Sequence, residues 1–500
     1  VPDLLENIAM KKKLLEYLLV FILLSPLLFI NIRNSHDWGD DFAGYLREAK
    51  NIAEGKPFYQ SKFQFHDYNL SYSPPYYSYG FPLLLSPIVK IWGLNYKVLN
   101  LYMSLWLVAW ALLTFAYLRR FFSLFACVSI TLIFFLDPFY FDFKTYIISD
   151  IPFSFFFLLS LILYQSRGSR SVYYLAVTGL AMAFATGIRS IGMLLLIVAA
   201  ADIALSFIKY MLQKISSAEF KPAAANNLII LFSAAVFICI FDRLIFIAPA
   251  GLHAHFIQLF RSHQYWPLVL SNLDNYTTQY VALFHHDAGR YAFANQYASA
   301  FMLTLLVIGL LLNIRRAEAL LAIAYGIIIL LFPFATQGFR YLLPLVPVFM
   351  YCVIIGAKSI HIRSSYYRSF LAVCFVLFML LIYCKEIKVM RRDENAVLRP
   401  SPFTEESQAA LTYIRTSTPD TAVIACLKPK AIELMTGHST CVLPAGDDLA
   451  TVAAKLNIAH PGYLLSIRDL GARVDGVAAI RKDSLVWENS AYRLYICNKH

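Results

Sequence analysis

Charged side chains stand in apolar surroundings at a few places along this chain, and those places are where chemistry is to be sought. The stretch "DWGDDFAGYLREAK", Asp37 to Lys50, sets three acids within five residues directly after the first hydrophobic run. Asp40 and Asp41 open a helical pattern. One such aspartate can accept bonds from the free N–H groups of a first helical turn and complement the helix dipole. The other is then available as a general base that takes a proton from an acceptor hydroxyl. In "KTYIISDIPFSFFFLLSL", Asp150 lies within an apolar run, near one end. A carboxylate at a bilayer centre costs about 2.5–3.5 kcal/mol, so such an acid faces a partner or a polar cavity. Pro152 makes Asp150 a fair helix cap as well, and Lys144, six residues earlier, is a candidate counter-ion. Two arginines complete the set. Arg340, followed by Tyr341 in "FATQGFRYLLPLVPVFMY", and Arg189 in "ATGIRSIG" each fill a short turn between apolar runs. There a guanidinium either snorkels to lipid headgroups or presents its planar donor fork to a phosphate.

Other chemistries find less support. His253, His255, His263, His285 and His286 cluster between residues 249 and 297, but without paired metal-ligand spacing they read as ordinary loop histidines. Eight cysteines are scattered with no C-x-x-C pair, which speaks against a metal knot. A Cys426–Cys441 disulfide is open if the tail is exported; unpaired cysteines are the expectation. Neither a phosphate-cradling P-loop nor a G-x-S-x-G on a strand-turn-helix is present.

The elements that must hold these residues are membrane helices. Of 500 residues, 59% are hydrophobic and 15% charged, and the mean hydropathy is +0.59. Leu14–Ile32 carries one charge in nineteen residues; at 1.5 Å per residue it is about 28 Å long, against a hydrocarbon core of about 30 Å. No small-residue cleavage site ends that run, so it reads as a retained membrane helix. Apolar runs predict eleven spans, at about 14–32, 97–118, 121–138, 146–166, 172–188, 190–208, 227–248, 298–314, 318–336, 341–357 and 369–385. The net charge of +12 collects in alternate gaps, among them Lys11–Lys13, Arg119–Arg120, Arg315–Arg316 and Lys358–Arg368. With those gaps cytoplasmic the positive-inside rule is met, so the charge reports topology and no nucleic-acid partner is expected. The N-terminus is then inside. Outside lie residues 33–96, 139–145, 249–297, 337–340 and everything after 386.

Two outer segments have structure of their own. Phe42, Tyr45, Leu46, Ala49, Ile52 and Ala53 share one helical face, with Arg47, Glu48, Lys50 and Glu54 mostly opposite, which predicts an amphipathic helix in the membrane interface, stopped by Gly55 and Pro57. The aromatic "YSPPYYSYGFPLLLSPIVKIWG" that follows reads as a bent loop packed down on the membrane surface. Residues 391–500 change character: "TAVIAC", "STCVLP" and "GYLLSI" read as strands alternating with the helical "KPKAIELMTG" and "GDDLATVAAKLN". A hairpin, "SLVWENSAYRLYICN", closes a small, mainly parallel α/β unit. The division expected is a transmembrane catalytic domain, 1–390, and an extracytoplasmic α/β domain, 391–500.

The order of these features resembles the membrane glycosyltransferases of the GT-C fold, in particular the bacterial branch that groups lipid A aminoarabinose transferases, galacturonosyltransferases and protein O-mannosyltransferases. The resemblance rests on "DDFAGYLREAKNIAEGKPFY" after the first span, "PPYYSYGFPLLLSP", "SDIPF", the late "GFRYLLPLVP" and the tail, and it covers nearly the whole chain. It implies a multi-pass protein of the bacterial cytoplasmic membrane that moves a sugar, usually with inversion, from a polyprenyl phosphate carrier to a lipid, glycan or protein acceptor on the outer side. Asp41 with Tyr45 matches the family's acid-x-x-x-Tyr pattern, with Asp40 its neighbour and Phe42 where a polar residue is usual. Asp150 matches the second outer acid, and Arg340-Tyr341 the late pair that binds carrier phosphate, with Arg189 and Lys144 as further binding candidates. No cofactor is required by this chemistry, although some branches use a divalent cation. A transporter or flippase of the same lipids is the alternative, and against it stands the absence of internal repeats; a non-catalytic binding protein would tolerate Asp41→Asn. The topology has a direct check: in a cysteine-free background, a membrane-impermeant maleimide applied to intact cells should label Lys482→Cys in the tail and leave Lys12→Cys unlabelled.

Overall fold

The structure is a computed structural model that describes residues 2–66, 74, 76–168, 171–242, 265–284, 292–314, 317–332, 335–360, 365–393, 398–444, 448–471 and 473–498. The histidine cluster falls outside them. Helices occupy each of the eleven expected positions: α1 (Pro2–Leu24, continued by the short α2, Pro26–Phe29), α5 (Tyr96–Leu118), α6 (Leu124–Phe135), α8 (Asp150–Gln165), α9 (Val172–Ile188), α10 (Met193–Met211), α11 (Ser217–Ile240), α13 (Ala292–Leu312), α14 (Ala317–Leu330), α15 (Val346–Ser359) and α16 (Ser365–Asp393). Among the described residues, five helices are long and apolar enough to cross a membrane: Tyr96–Leu118, Ser190–Met211, Ser217–Ile240, Gly338–Ser359 and Ser369–Arg392. Two of the others, α6 and α8, are shorter than their apolar runs because polar caps and prolines cut them. Ser123 caps α6 at its start and Asp137 caps the six-residue α7 (Pro138–Phe143) that follows it. Asp150 and Pro152 begin α8 four residues later than its run does.

Three segments depart from the expected picture. Between residues 249 and 297 the chain forms a helix, α12 (Tyr265–Leu283), whose Asn272 amide donates to the carbonyls of Leu330 and Phe332 at 2.8 Å each and so ties it to the end of α14. The aromatic stretch yields α4 (Gly80–Trp92), packed along α3 (Asp40–Ala53). α3 itself is not an interfacial helix. Half of its polar face is buried, Arg47 and Glu48 lying inside while Lys50 and Glu54 stay exposed, because the C-terminal unit covers the part that holds Arg47 and Glu48.

That unit is a six-stranded sheet in the order β1-β3-β2-β4-β6-β5. Its strands β2 (Val423–Cys426), β3 (Ser439–Val442) and β4 (Tyr463–Ile467) are parallel, and the hairpin β5 (Ser484–Glu488) and β6 (Tyr492–Ile496) adds on antiparallel. α17 (Glu405–Ser417) precedes the sheet, and α18 (Pro429–Thr436), α19 (Leu449–Ala459) and α20 (Arg473–Arg481) lie between its strands. α18 stops at Gly437, whose left-handed φ of 77° closes the helix. The outer strand β1 (Phe63–Gln64) comes from the segment after the first span and pairs with Thr440 and Cys441. Cys426 and Cys441 sit buried on neighbouring strands, both as free thiols. The main hydrophobic core runs without a break from the membrane helices into this unit, through Ala410, Leu411, Ile424, Ala431, Ile432, Leu465 and Tyr492.

Where α3 meets α18 the contact is ionic. Arg47 Nη1 bonds Glu433 Oε2 at 2.6 Å, and Glu433 Oε1 accepts from the Lys62 N–H at 2.6 Å. Asp40 accepts from the Ala431 N–H at 3.2 Å, and Glu48 from the Tyr77 N–H at 2.8 Å. Burial pushes the Glu48 carboxyl up from its ordinary 4.5 to about 7 against the pull of Arg47, and the Asp40 carboxyl up to about 6 against that of Lys430. Both acids hold their protons more tightly in the folded chain than in the unfolded one, so their contribution to stability falls as pH rises towards 7. The melting temperature of the wild type minus that of Glu48→Gln, measured in detergent, should decline between about pH 4.5 and 7 and level off above. A difference independent of pH would contradict this account.

Candidate active site

Asp41 stands in the first turn of α3. The Gly39 N–H bonds Asp37 Oδ1 at 2.9 Å and shapes the turn that leads in, and the free N–H groups of the helix start favour a carboxylate there. Unlike Asp40, whose side chain is buried under α18, Asp41 keeps 36% of its side chain exposed. Two donors fix it: the Tyr77 hydroxyl on Oδ1 at 2.7 Å and Arg340 Nη1 on Oδ2 at 3.2 Å. Burial would raise the Asp41 carboxyl, but Arg340, the Tyr77 hydroxyl and Lys430 outweigh it and hold the group below the usual carboxylate range. It is therefore ionised at neutral pH.

Arg340 reaches Asp41 across 299 positions of sequence. Its segment, Ala335–Leu345, is a 3₁₀ stretch kinked at Gly338, where φ 65° and ψ −163° describe a backbone that a side chain would strain. Pro344 and Pro347 then turn the chain into α15. Beside Arg340, the Tyr341 ring has two guanidiniums over it, Arg340 at 5.4 Å and Arg189 at 4.9 Å from its centroid. Arg189 ends α9 in an extended conformation and forms an ion pair with Asp150 Oδ1. Asp150 opens α8 and is 3% exposed. Tyr45, one turn after Asp41, closes the ring: its hydroxyl is 3.0 Å from Ser149 Oγ, next to Asp150, and its ring lies 4.3 Å from that of Tyr77.

The fold thus brings Asp41, Arg340, Tyr341, Arg189 and Asp150 together from four separate regions of the chain. Two expected members go elsewhere. Asp40 points away from Arg340 and caps the start of α18, because α3 turns that side towards the C-terminal unit. Lys144 is fully buried, with Nζ on the Asn31 carbonyl at 3.4 Å and the Ser104 hydroxyl at 3.1 Å; it braces the helix bundle, and the ion-pair partner of Asp150 is Arg189. Sequence reasoning missed Tyr77, since "YYSY" offers three tyrosines with nothing to choose among them. It also missed Tyr276 of α12, which is 5% exposed, carries a hydroxyl without a hydrogen-bond partner among the described residues and lies within electrostatic reach of Tyr341, Arg189 and Arg340.

Chemically, two guanidiniums and a phenol hydroxyl that has no partner among the described residues are donors of the kind an anion takes, with an ionised carboxylate at their edge. Asp41 and Asp150 each face an arginine, and no three His, Cys, Asp or Glu residues converge among the described residues.

No family model matches the chain, and no curated protein matches it. Solved structures do. The archaeal oligosaccharyltransferase AglB from Archaeoglobus fulgidus, in complex with an inhibitory peptide and a dolichol-phosphate, aligns with a TM-score of 0.53 at 14% identity, over 97% of this chain and 74% of its own. ArnT from Cupriavidus metallidurans, bound to undecaprenyl phosphate, aligns with a TM-score of 0.51 at 13% identity, over 96% of this chain and 97% of its own. The chain has the GT-C fold.

Arg189→Ala leaves the Asp150 carboxylate buried without its partner, and breaking a buried pair in this way costs about 3–5 kcal/mol. The expected result is a clear drop in melting temperature in detergent, largely restored by adding Asp150→Asn. An unchanged melting temperature in the single variant would mean that the pair is not buried as described.

Proposed function

We propose that this chain, built on the GT-C fold, is a glycosyltransferase that moves a sugar from a polyprenyl phosphate carrier to a hydroxyl of a lipid, glycan or protein acceptor. The site of action in this reading is the outer face of the bacterial cytoplasmic membrane, with the N-terminus cytoplasmic and the C-terminal unit outside. The observation that carries the reading is the contact between a half-exposed, ionised Asp41 and Arg340, with Arg189 and Tyr341 alongside.

The chemistry follows from those groups. A glycosyl phosphate already has a good leaving group, so no second carboxyl is needed to protonate a departing alkoxide, as it is in glycoside hydrolysis. Asp41 takes the proton of the acceptor hydroxyl; the acceptor oxygen bonds to the anomeric carbon with inversion as the bond from that carbon to the phosphate oxygen breaks. The electron pair leaves on the carrier phosphate, and fixed positive charge lowers the barrier to its departure. Arg340 supplies that charge. It meets Asp41 through Nη1, and its planar fork carries further N–H donors of the kind that grip a phosphate. Arg189, neutralised and oriented by Asp150, adds a second donor near Tyr341. No metal is needed in this scheme.

The test uses purified protein with undecaprenyl phosphate carrying each of a panel of labelled sugars, and native membrane extract as acceptor. Asp41→Asn should lower transfer by about 10²–10⁴-fold while binding of undecaprenyl phosphate is kept. Arg340→Ala should weaken that binding and lower transfer by about 10²–10³-fold. Full activity in Asp41→Asn would overturn the assignment of the base.

A further inference from the structure

A general base works only when its lone pair is aimed, and a carboxylate in a first helical turn can rotate. Arg340 and the Tyr77 hydroxyl together restrain Asp41, one on each oxygen. Tyr77 belongs to no helix or strand, so something else must hold it. Its N–H donates to Glu48 Oε1 at 2.8 Å, and its ring packs 4.3 Å from that of Tyr45. The third hold comes from the other end of the chain. Lys430, on α18 of the C-terminal unit, is 1% exposed. Its Nζ donates to the Pro74 carbonyl at 2.7 Å and stands 4.2 Å from the centroid of the Tyr77 ring. The packing is tight: a Cβ built on Gly44 of α3 would lie 2.5 Å from the Tyr77 ring and 3.3 Å from Lys430 Cδ. A glycine inside a helix is less favourable than an alanine, and here it makes room for this contact.

We propose that Lys430 is a positioning residue for Asp41: acting on Pro74 and the Tyr77 ring, it fixes the tyrosine hydroxyl that aims the carboxylate, so that the C-terminal unit completes the active site. The inference rests on the reading of Asp41 as the base. A buried ammonium is a poor choice for packing alone, since a well-fitted apolar side chain in place of a buried charge is often neutral or stabilising. Burial pushes Lys430 down to about 8, with Asp40 opposing, so the ammonium keeps its charge at neutral pH and holds both the Pro74 carbonyl and the π face of Tyr77. The same helix offers its Ala431 N–H to Asp40, one residue before the base. Docking of α18 therefore reaches α3 and the aromatic segment together.

The experiment has a structural arm and a kinetic arm, both on the full-length protein in detergent. In the first, hydrogen exchange followed by mass spectrometry reads the peptide containing Tyr76 and Tyr77. Lys430→Met should speed exchange of that peptide by about tenfold or more, with the membrane helices unchanged. Unchanged exchange would overturn the proposal. In the second arm, Lys430→Met and Tyr77→Phe should each lower kcat by about tenfold or more, as expected when a reacting group is misplaced by a fraction of an ångström, with the KM for the carrier-linked sugar within twofold of wild type. The double variant should be no slower than the slower single one, because both act through one hydroxyl. Multiplying effects would overturn the proposal, as would a change confined to KM. If the wild type transfers no sugar from any member of the panel, the glycosyltransferase reading fails and the exchange arm alone decides whether Lys430 holds the tyrosine.

Discussion

Helix α3 is covered from two directions. Membrane helices and α4 pack on one flank and α18 on the other, and its charged residues are spoken for in opposite directions: Asp41 by Arg340 and Tyr77, Asp40 by the Ala431 N–H, Arg47 by Glu433, Glu48 by the Tyr77 N–H. Burying three ionisable groups, Asp40, Arg47 and Glu48, and half-burying a fourth within nine residues is tolerable only when each finds a partner, because an unpaired buried charge is far costlier than a paired one. Those partners lie in segments far apart in sequence. The requirement that they all be satisfied together fixes where the late Arg-Tyr turn, the aromatic segment and the C-terminal unit sit around the helix.

The arrangement divides labour between neighbours. Asp40 and Asp41 are chemically identical and adjacent, yet successive helical residues point about 100° apart, so one is sealed into an interface and the other is left at an edge. Their proton affinities part accordingly, upward for Asp40 and downward for Asp41. Asp150 and Arg189 repeat the logic more quietly: the acid is sealed, and it holds an arginine where that arginine can serve.

Much of this was legible in the sequence. Apolar runs located the membrane helices, and the alternation of strand-like and helix-like stretches located the C-terminal sheet, down to the stop of α18 at Gly437. Asp41, Asp150, Arg189 and Arg340 stood out because charge is costly beside apolar neighbours, and the fold gathers them. What was not legible depended on contacts between distant segments. The periodicity of α3 predicted one wet face; a helix covered on both sides has the same pattern when its second cover is polar, as α18 is here. Lys144 looked like a partner for Asp150 because it was near in sequence, but α7 and the turn after it send its side chain into the bundle. Tyr77, Lys430 and Tyr276 carry no local mark. A tyrosine among tyrosines is singled out only by what it touches.

The two-residue strand β1 gives this architecture a direction in time. Phe63 emerges early from the ribosome, and its ladder partner Thr440 follows some hundreds of residues later. At typical rates of synthesis that interval is on the order of tens of seconds. Throughout it the nascent chain carries an unpaired edge and an unclosed ionic layer on α3, and until residue 340 is made Asp41 has no arginine. A nascent chain halted anywhere before the last strands is therefore an incomplete catalyst as well as an unfinished fold, and quality control acting on the newly made tail would also be acting on the reaction centre.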